Sequence, residues 1–193
     1  MALNVKIIGI IPARMASSRF PGKPMAEILG KPMIGHVYDN VKKNKLIAEL
    51  AVATCDDKIY NYIQSIGGRA VMTSDKHERA SDRCAEALVK IEEEDDKKYD
   101  IVVMVQGDEP MIHPNMITAA VQPMLDDPNV LVTNLLGNIE SKEEFEDRNC
   151  IKVVCNLNGD ALYFSREPIP TRAKSTDISM GKQICVIPFR RDF

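Results

Sequence analysis

The 193-residue sequence lacks paired cysteines, long hydrophobic runs and a large excess of charge of either sign. Its five cysteines form no C-x-x-C pair and no zinc-like grouping with histidine, so we expect reduced thiols in a cytoplasmic protein. The apolar run Lys6–Ile11 is too short for a signal peptide or a membrane span, which argues against a membrane partner. With 25 basic and 28 acidic side chains, the net charge of −3 argues against nucleic acid as a partner.

Three motifs that would point to other classes of enzyme are also missing. No G-x-G-x-x-G follows the first predicted strand, which argues against a dinucleotide-dependent dehydrogenase. The segment Pro21-Gly-Lys-Pro24 is similar to a P-loop only superficially, because the upstream glycine is missing and a proline follows the lysine. The sequence has no G-x-S-x-G elbow, which argues against a serine hydrolase.

Strand-like and helix-like segments alternate along most of the chain. Strands are predicted at Val5–Ile11, Leu50–Thr54, Arg69–Thr73, Tyr99–Gln106 and Val130–Leu136. Helices are predicted to begin at Pro32, at Asp56 or Asp57, at Ser81 and at Pro114, where proline or a capping residue stands. The Tyr99–Gln106 segment is the most apolar, so we expect it near the centre of the sheet. The alternation predicts an α/β fold: a Rossmann-like, mostly parallel sheet with helices on both faces.

The last part of the chain, residues 150–193, is rich in strands instead. The predicted strands are Lys152–Leu157, Leu162–Ser165 and Gln183–Phe189. We expect a single domain over residues 1–193, in which this part is an insertion or a subunit contact.

Cations and hydroxyls, with no acid among them, follow the first predicted strand. The polar side chains of this loop are Arg14, Ser17, Ser18, Arg19 and Lys23. Arginine offers forked donors to phosphate and lysine a mobile charge, while three prolines lower the entropic cost of ordering the loop. The loop is therefore predicted to bind a polyphosphate, with a solvated surface loop as the alternative.

Asp108 follows the Tyr99–Gln106 strand after a single glycine. Because ligands bind beyond the carboxyl ends of parallel strands, we expect this carboxylate to face the cationic loop and to bind Mg²⁺. Glu109 is the competing ligand, and a turn aspartate without metal is the alternative. Other polar residues predicted at this edge are Thr54, Asp56, Thr73, Ser74, His77, Arg79, Ser81, Asp82, Arg83 and Gln106.

These residues resemble the motifs of the CMP-sugar-acid synthetase family, and most closely those of its CMP-Kdo synthetase (3-deoxy-manno-octulosonate cytidylyltransferase) branch. The similar blocks, in the same order, are Ile11–Pro24, Gly30–Ile34, Val52–Thr54, Val105–Pro110 and Ala161–Arg166. They span essentially the whole chain. The first block is highly specific, and the Gln-Gly-Asp-Glu-Pro block separates the Kdo branch from many other nucleotidyltransferases.

The resemblance implies a fold of the nucleotide-diphospho-sugar transferase type, Mg²⁺ as cofactor and a homodimer. It implies that CMP is transferred from CTP to an acidic sugar of the 3-deoxy-2-keto type, for surface polysaccharide or lipopolysaccharide synthesis. Arg14, Arg19 and Lys23 would bind the phosphates and Asp108 the metal. The residues that it implies for substrate binding are Ala13, Ser17, Thr73, His77, Ser81, Arg83, Gln106, Lys152 and Arg166.

The chain departs from the family pattern at three places. Arg79 and Ala80 stand where the family has Ser and Gly, and Gln183–Ile187 replaces a His-x-Gly-x-Tyr pattern that contacts the sugar. Family members continue beyond position 193 through a second metal-binding aspartate, so we expect the family's C-terminal segment to be missing. Two alternatives stay open: a nucleotidyltransferase for another sugar acid, such as a nine-carbon one, and a catalytically silent nucleotide-binding module.

Overall fold

A computed structural model of the protein describes residues 5–16, 20–171 and 180–193. The chain divides into two compact units, the first formed by Met1–Thr133 with Cys185–Phe193 and the second by Asn134–Ile184. Among the described residues, no helix is both long and apolar enough to span a membrane.

The first unit contains most of the regular structure. Its elements in chain order are β1 (Ile7–Ala13), a 3-10 turn (Lys23–Met25), β2 (Glu27–Ile28), β3 (Lys31–Pro32), α1 (Met33–Lys42), β4 (Glu49–Thr54), α2 (Asp57–Ser65), β5 (Arg69–Met72), α3 (Ala80–Asp95), β6 (Ile101–Val105) and α4 (Pro114–Asp126). The second unit contains β7 (Leu135–Asn138), α5 (Lys142–Glu146), β8 (Lys152–Cys155), β9 (Ala161–Ser165) and β10 (Gly181–Ile184). The chain then returns to the first unit with β11 (Val186–Arg190).

A five-stranded sheet in the order β11-β6-β1-β4-β5 forms the centre of the first unit. Strands β6, β1, β4 and β5 are parallel, and β11 pairs with β6 in the antiparallel direction. The prediction of a mostly parallel sheet is confirmed. Strand β6 is interior and buried along its whole length, as expected, although β1 takes the middle position.

Helices cover this sheet because its strands are apolar on both sides. Ile8 and Ile10 of β1 belong to one buried cluster with Ala87 and Ile91 of α3. Neighbouring β1 residues, such as the fully buried Ile11, point to the other side of the pleated strand. There α1 and α2 contact the sheet through their own buried aliphatic stripes. The helices on both faces that the alternation predicts are thus present.

The second unit has an antiparallel sheet in the order β7-β10-β8-β9. The predicted strand Gln183–Phe189 is wrong as a single element, because the chain breaks at Cys185 into β10 and β11, which belong to different sheets. The predicted strand Val130–Leu136 is displaced to β7. Thr133 instead donates its N–H to the Pro188 carbonyl at 3.1 Å, which keeps this segment on the first unit.

Candidate active site

The carboxyl ends of the parallel strands lie side by side, and the loops that carry the predicted polar residues begin there. Ala13 at the end of β1 pairs with Thr54 at the end of β4, and Thr54 in turn pairs with Met72 at the end of β5. Ala13 and Thr54 are both buried. The predicted convergence of loops at one sheet edge is therefore present in the first unit.

The loop after β6 approaches the end of β1 so closely that any side chain at position 107 would require its neighbours to shift. A Cβ atom on Gly107 would stand 3.0 Å from the Pro12 carbonyl oxygen and 3.1 Å from Ile34 Cδ1. Two asparagines that were not predicted from the sequence, one in α1 and one just after it, hold the rest of this loop. Asn40 donates to the Pro110 carbonyl at 3.0 Å, and Asn44 donates to the Pro114 carbonyl at 2.7 Å.

The loop after β1 meets the β6 loop through an ion pair. Lys23 Nζ lies 2.7 Å from Asp108 Oδ2, with about a third of the lysine side chain and half of the aspartate side chain exposed. Gly22 precedes the 3-10 turn with φ of 76°, a left-handed conformation that glycine accepts without strain. The Met15 N–H donates to Asp56 Oδ2 at 2.8 Å, so Asp56 anchors this loop rather than capping α2 with its side chain.

Arg14 is exposed, and its Nη1 atom lies 3.5 Å from the His77 carbonyl oxygen, a long contact. Ser17, Ser18 and Arg19, which were predicted in the same loop, lie outside the described residues. Their roles stay predictions, as do those of the other candidate residues.

The loop between β5 and α3 is in contact with a buried arginine at the start of α3. Arg83 is 3% exposed, and its Nη1 donates to Thr73 Oγ1, which itself donates to the Thr54 carbonyl at 3.1 Å. Within the described part of the chain, Arg83 Nη2 is buried without a hydrogen-bond partner. A buried donor of this kind costs free energy unless it is paired, so it suits a position that a ligand oxygen completes.

Glu86 of α3, which the sequence did not single out, organises this same loop. Its carboxylate accepts hydrogen bonds from the Ser74 N–H at 2.9 Å and from His77 Nε2, and it pairs with Lys90 at 2.7 Å. These hydrogen bonds lower the pKa of Glu86 from 4.5 to about 2, with the bond from Lys90 having the largest effect, followed by those from Ser74 and His77. Burial acts in the opposite direction and raises the pKa. The only sequence signal was the i,i+4 spacing to Lys90, which indicates an ordinary surface pair.

The remaining first-unit candidates lie at the start of α3 and after β6. Ser81 is exposed in the first turn of α3, and Arg79 precedes that helix in an extended conformation. Gln106 is half-buried, and its N–H donates to the Cys185 carbonyl at 3.2 Å.

Lys152 and Arg166 belong to the second unit. Lys152 is fully buried, and its ammonium group donates to the carbonyl oxygens of Asp147, Cys150 and Arg166 at 2.6, 2.9 and 2.9 Å. All three of its protons are thus used within the unit. Arg166 is exposed and donates from Nη1 to the Arg148 carbonyl at 2.9 Å.

Few side chains of the described residues are placed to bind a metal ion together. Within residues 5–16, 20–171 and 180–193, no group of three or more His, Cys, Asp or Glu side chains is arranged to hold a metal ion. Asp108 nevertheless offers an exposed carboxylate beside the cationic loop. That donor fits an ion such as Mg²⁺, which is commonly held by one or two carboxylates together with substrate phosphates and water.

Comparison with known proteins gives consistent matches over almost the whole chain. The family model described as "Cytidylyltransferase" matches residues 8–192. The 3-deoxy-manno-octulosonate cytidylyltransferases of Geobacter metallireducens and Geobacter sulfurreducens are 44% and 42% identical over 200 residues. Each match covers 98% of this chain, and 76% and 78% of the respective relative.

A solved structure is similar as well. It is a CMP:2-keto-3-deoxy-manno-octonic acid synthetase complexed with CTP, which is 41% identical with a TM-score of 0.87. The match covers 97% of this chain and 75% of that one. The predicted nucleotide-diphospho-sugar transferase type of fold is thereby confirmed, and the chain belongs to the cytidylyltransferase family.

Proposed function

We propose that this protein transfers CMP from CTP to 3-deoxy-manno-octulosonate (Kdo), giving CMP-Kdo and pyrophosphate for lipopolysaccharide or surface polysaccharide synthesis. The observation that carries the proposal is the Lys23–Asp108 pair at the sheet edge, in a chain 41% identical to a synthetase complexed with CTP. Relatives of more than 40% identity that are named for this sugar acid support the choice of acceptor.

In the proposed reaction, a hydroxyl oxygen of the sugar acid attacks the α-phosphorus of CTP, and the bond to pyrophosphate breaks on the opposite side. Arg14 and Lys23, with Arg19, neutralise the phosphate charge that develops on the leaving group. No covalent enzyme intermediate is needed, so the protein contributes mainly by positioning the two substrates and by charge stabilisation.

Mg²⁺ is the proposed cofactor, with Asp108 as its protein ligand. A bound ion would neutralise phosphate charge and help to align the α-phosphate. The ion pair between Asp108 and Lys23 supports this assignment, because it brings a half-exposed carboxylate at the end of β6 next to the cation that is proposed to bind phosphate. When CTP and the ion bind, Lys23 is expected to move from the carboxylate to phosphate oxygens.

The remaining candidate residues are proposed to recognise the two substrates. Thr73, His77, Ser81 and Arg83, with Ala13 and Ser17, are assigned to the nucleotide. That assignment is supported by the buried Nη2 of Arg83, which has no hydrogen-bond partner among the described residues. Gln106 and Arg166 are assigned to the acidic sugar, and Lys152, whose buried ammonium group donates to the Arg166 carbonyl, is assigned an indirect part in the same site. Arg166 is the proposed partner of the sugar carboxylate, because its guanidinium group is exposed and always charged.

We further propose a homodimer in which the second unit contributes to the contact. Strand β9 is at the edge of its sheet, and Leu162, Tyr163 and Phe164 are 65%, 63% and 42% exposed. An exposed apolar edge strand of this kind is usually covered by a partner. Both units are proposed to form a single nucleotidyltransferase domain, since the family model spans residues 8–192. The five free cysteines support a cytoplasmic location.

The direct test measures pyrophosphate release with CTP, Mg²⁺ and Kdo. We expect turnover that needs all three, with ATP, GTP and UTP as poor substitutes and with a nine-carbon sugar acid as a poor acceptor. Lys23→Met is expected to reduce turnover at least about a hundredfold, the loss typical of one preorganised charge donor. If CTP binds but no acceptor releases pyrophosphate, the chain is a nucleotide-binding module. If only the nine-carbon acid reacts, the acceptor assignment is wrong.

A further inference from the structure

The loop between β5 and α3 is held at two points by side chains of α3. At one point, Arg83 donates to Thr73 Oγ1, and the Thr73 N–H donates to the Thr54 carbonyl at 2.8 Å. At the other point, Glu86 accepts hydrogen bonds from the Ser74 N–H and from the ring of His77. The intervening residues form no helix or strand, so these side-chain contacts determine where the loop lies.

The carboxylate of Glu86 is suited to this task because it is already in its charged form and is largely enclosed. About a quarter of its side chain is exposed, and Lys90 supplies a counter-charge one turn further along α3. A carboxylate that accepts a backbone N–H and an imidazole N–H makes charge-assisted hydrogen bonds, which are the strong and directional kind. The i,i+4 pair with Lys90 alone would contribute little.

The contacts of Glu86 lead directly to residues assigned to the nucleotide. His77 presents its ring to Glu86 and its backbone carbonyl to Arg14 Nη1 at 3.5 Å. Ser74 directly follows Thr73, whose hydroxyl oxygen accepts a hydrogen bond from the buried guanidinium of Arg83. The Glu86 carboxylate therefore holds a loop that contacts Arg14 at its His77 end and the buried Arg83 at its Thr73 end.

We propose that Glu86 is a positioning residue of the nucleotide site, which holds the loop 73–77 in the conformation that binds CTP. This inference rests on the proposed function and adds a residue that does not itself touch the substrate. Without the carboxylate, Ser74 and His77 can bond to water, because both are partly exposed. The loop then populates several conformations, and the apparent affinity for CTP falls by the fraction that remains competent.

The test compares CTP binding by calorimetry for the wild type, Glu86→Ala, Glu86→Gln and Glu93→Gln, together with each protein's unfolding transition. Glu93 is the matched control, an exposed glutamate two turns further along α3. We expect Glu86→Ala to weaken CTP binding at least tenfold at a temperature where it is fully folded. Glu86→Gln, which keeps an acceptor oxygen for the loop, should lose less, and Glu93→Gln should bind as the wild type does.

A double variant separates positioning from a general loss of structure. If Glu86 acts through His77, the combined Glu86→Ala/His77→Ala change weakens CTP binding by less than the product of the two single effects. Binding by Glu86→Ala within twofold of the wild type would overturn the inference, as would equal losses for the Glu86 and Glu93 variants. If Glu86→Ala does not fold, the comparison of Glu86→Gln with Glu93→Gln decides in the same way. A wild type that binds no CTP would instead refute the proposed function.

Discussion

Replacement of Glu92 by glutamine should cost this protein a large part of its stability. Glu92 of α3 has a fully buried side chain, and its carboxylate accepts hydrogen bonds from the guanidinium of Arg191 at 2.9 and 3.2 Å. It also accepts bonds from Lys98 Nζ at 2.7 Å and from the Tyr99 N–H at 3.2 Å. The carboxylate thereby joins the end of α3, the segment before β6 and the segment after β11.

The pKa of Glu92 sets the magnitude of this effect. Burial alone would raise the pKa, but the bonds from Arg191, Lys98 and the Tyr99 N–H outweigh burial and lower it from 4.5 to about 2. At 1.36 kcal/mol per pKa unit, the ionised carboxylate stabilises the folded state by about 3 kcal/mol at neutral pH. Because the pKa is lowered on folding, this contribution is complete above about pH 5 and is lost as the pH falls towards 2.

We expect Glu92→Gln to lower the free energy of unfolding by about 2–4 kcal/mol at pH 7, measured by urea denaturation. The gap between the wild type and the variant should shrink by about 1 kcal/mol between pH 7 and pH 4. In this range the Glu92 carboxyl takes up a proton in the unfolded wild type, while it stays ionised in the folded wild type, and glutamine does not titrate. Glu93→Gln, an exposed change on the same helix, serves as the control. A loss below about 1 kcal/mol at pH 7, or a gap that does not change with acid, would refute the reasoning.

Three further predictions concern the other parts of the molecule. Asp108→Asn should abolish Mg²⁺-dependent pyrophosphate release, because an amide lacks the charge that binds the ion. Its free energy of unfolding in urea should stay within about 0.5 kcal/mol of the wild type, since the side chain is half exposed. An unchanged metal titration would move the ligand role to Glu109. Lys152→Met should lower the free energy of unfolding by about 2–5 kcal/mol, because three carbonyl oxygens lose their donor; a loss below about 1 kcal/mol would show that these bonds contribute little. Leu162→Ser should shift the monomer–dimer equilibrium measured by sedimentation towards the monomer, and an unchanged equilibrium would exclude β9 from the contact.

The sequence was sufficient to predict the sheet edge and the facing charges. Alternating strands and helices imply parallel strands, and parallel strands bring the loops at their carboxyl ends together. Lys23 and Asp108 are 85 residues apart in the chain, yet each follows a strand of this kind, and the two are in contact in the structure. The same rule brings Thr54 and Thr73 together, which are hydrogen-bonded as neighbours.

Strand boundaries could not be predicted in the same way, because they depend on the unit with which a segment pairs. Gln183–Phe189 is continuously strand-like, and nothing in its periodicity marks Cys185 as the point where the chain changes sheets. Similarly, Val132 forms only an isolated bridge to Phe189, although its segment has a strand-like composition. Side-chain periodicity reports burial and conformation, whereas the choice of pairing partner is a property of the tertiary structure.

Residues that position other residues were the hardest to predict, and Lys152 illustrates why. A lysine in a strand beside a family block suggests a contact with an acidic sugar. In the structure its ammonium group is enclosed by three backbone carbonyls, one of them that of Arg166. If Arg166 binds the sugar carboxylate as proposed, Lys152 would act on the sugar only through the backbone of Arg166, whose side chain is exposed. Glu86 contacts the loop after β5 in a similar way, through hydrogen bonds to other residues of the protein. The charge and the sequence position of a side chain do not tell whether it binds a ligand itself or holds the residues that do. Its hydrogen-bond partners in the structure make that distinction.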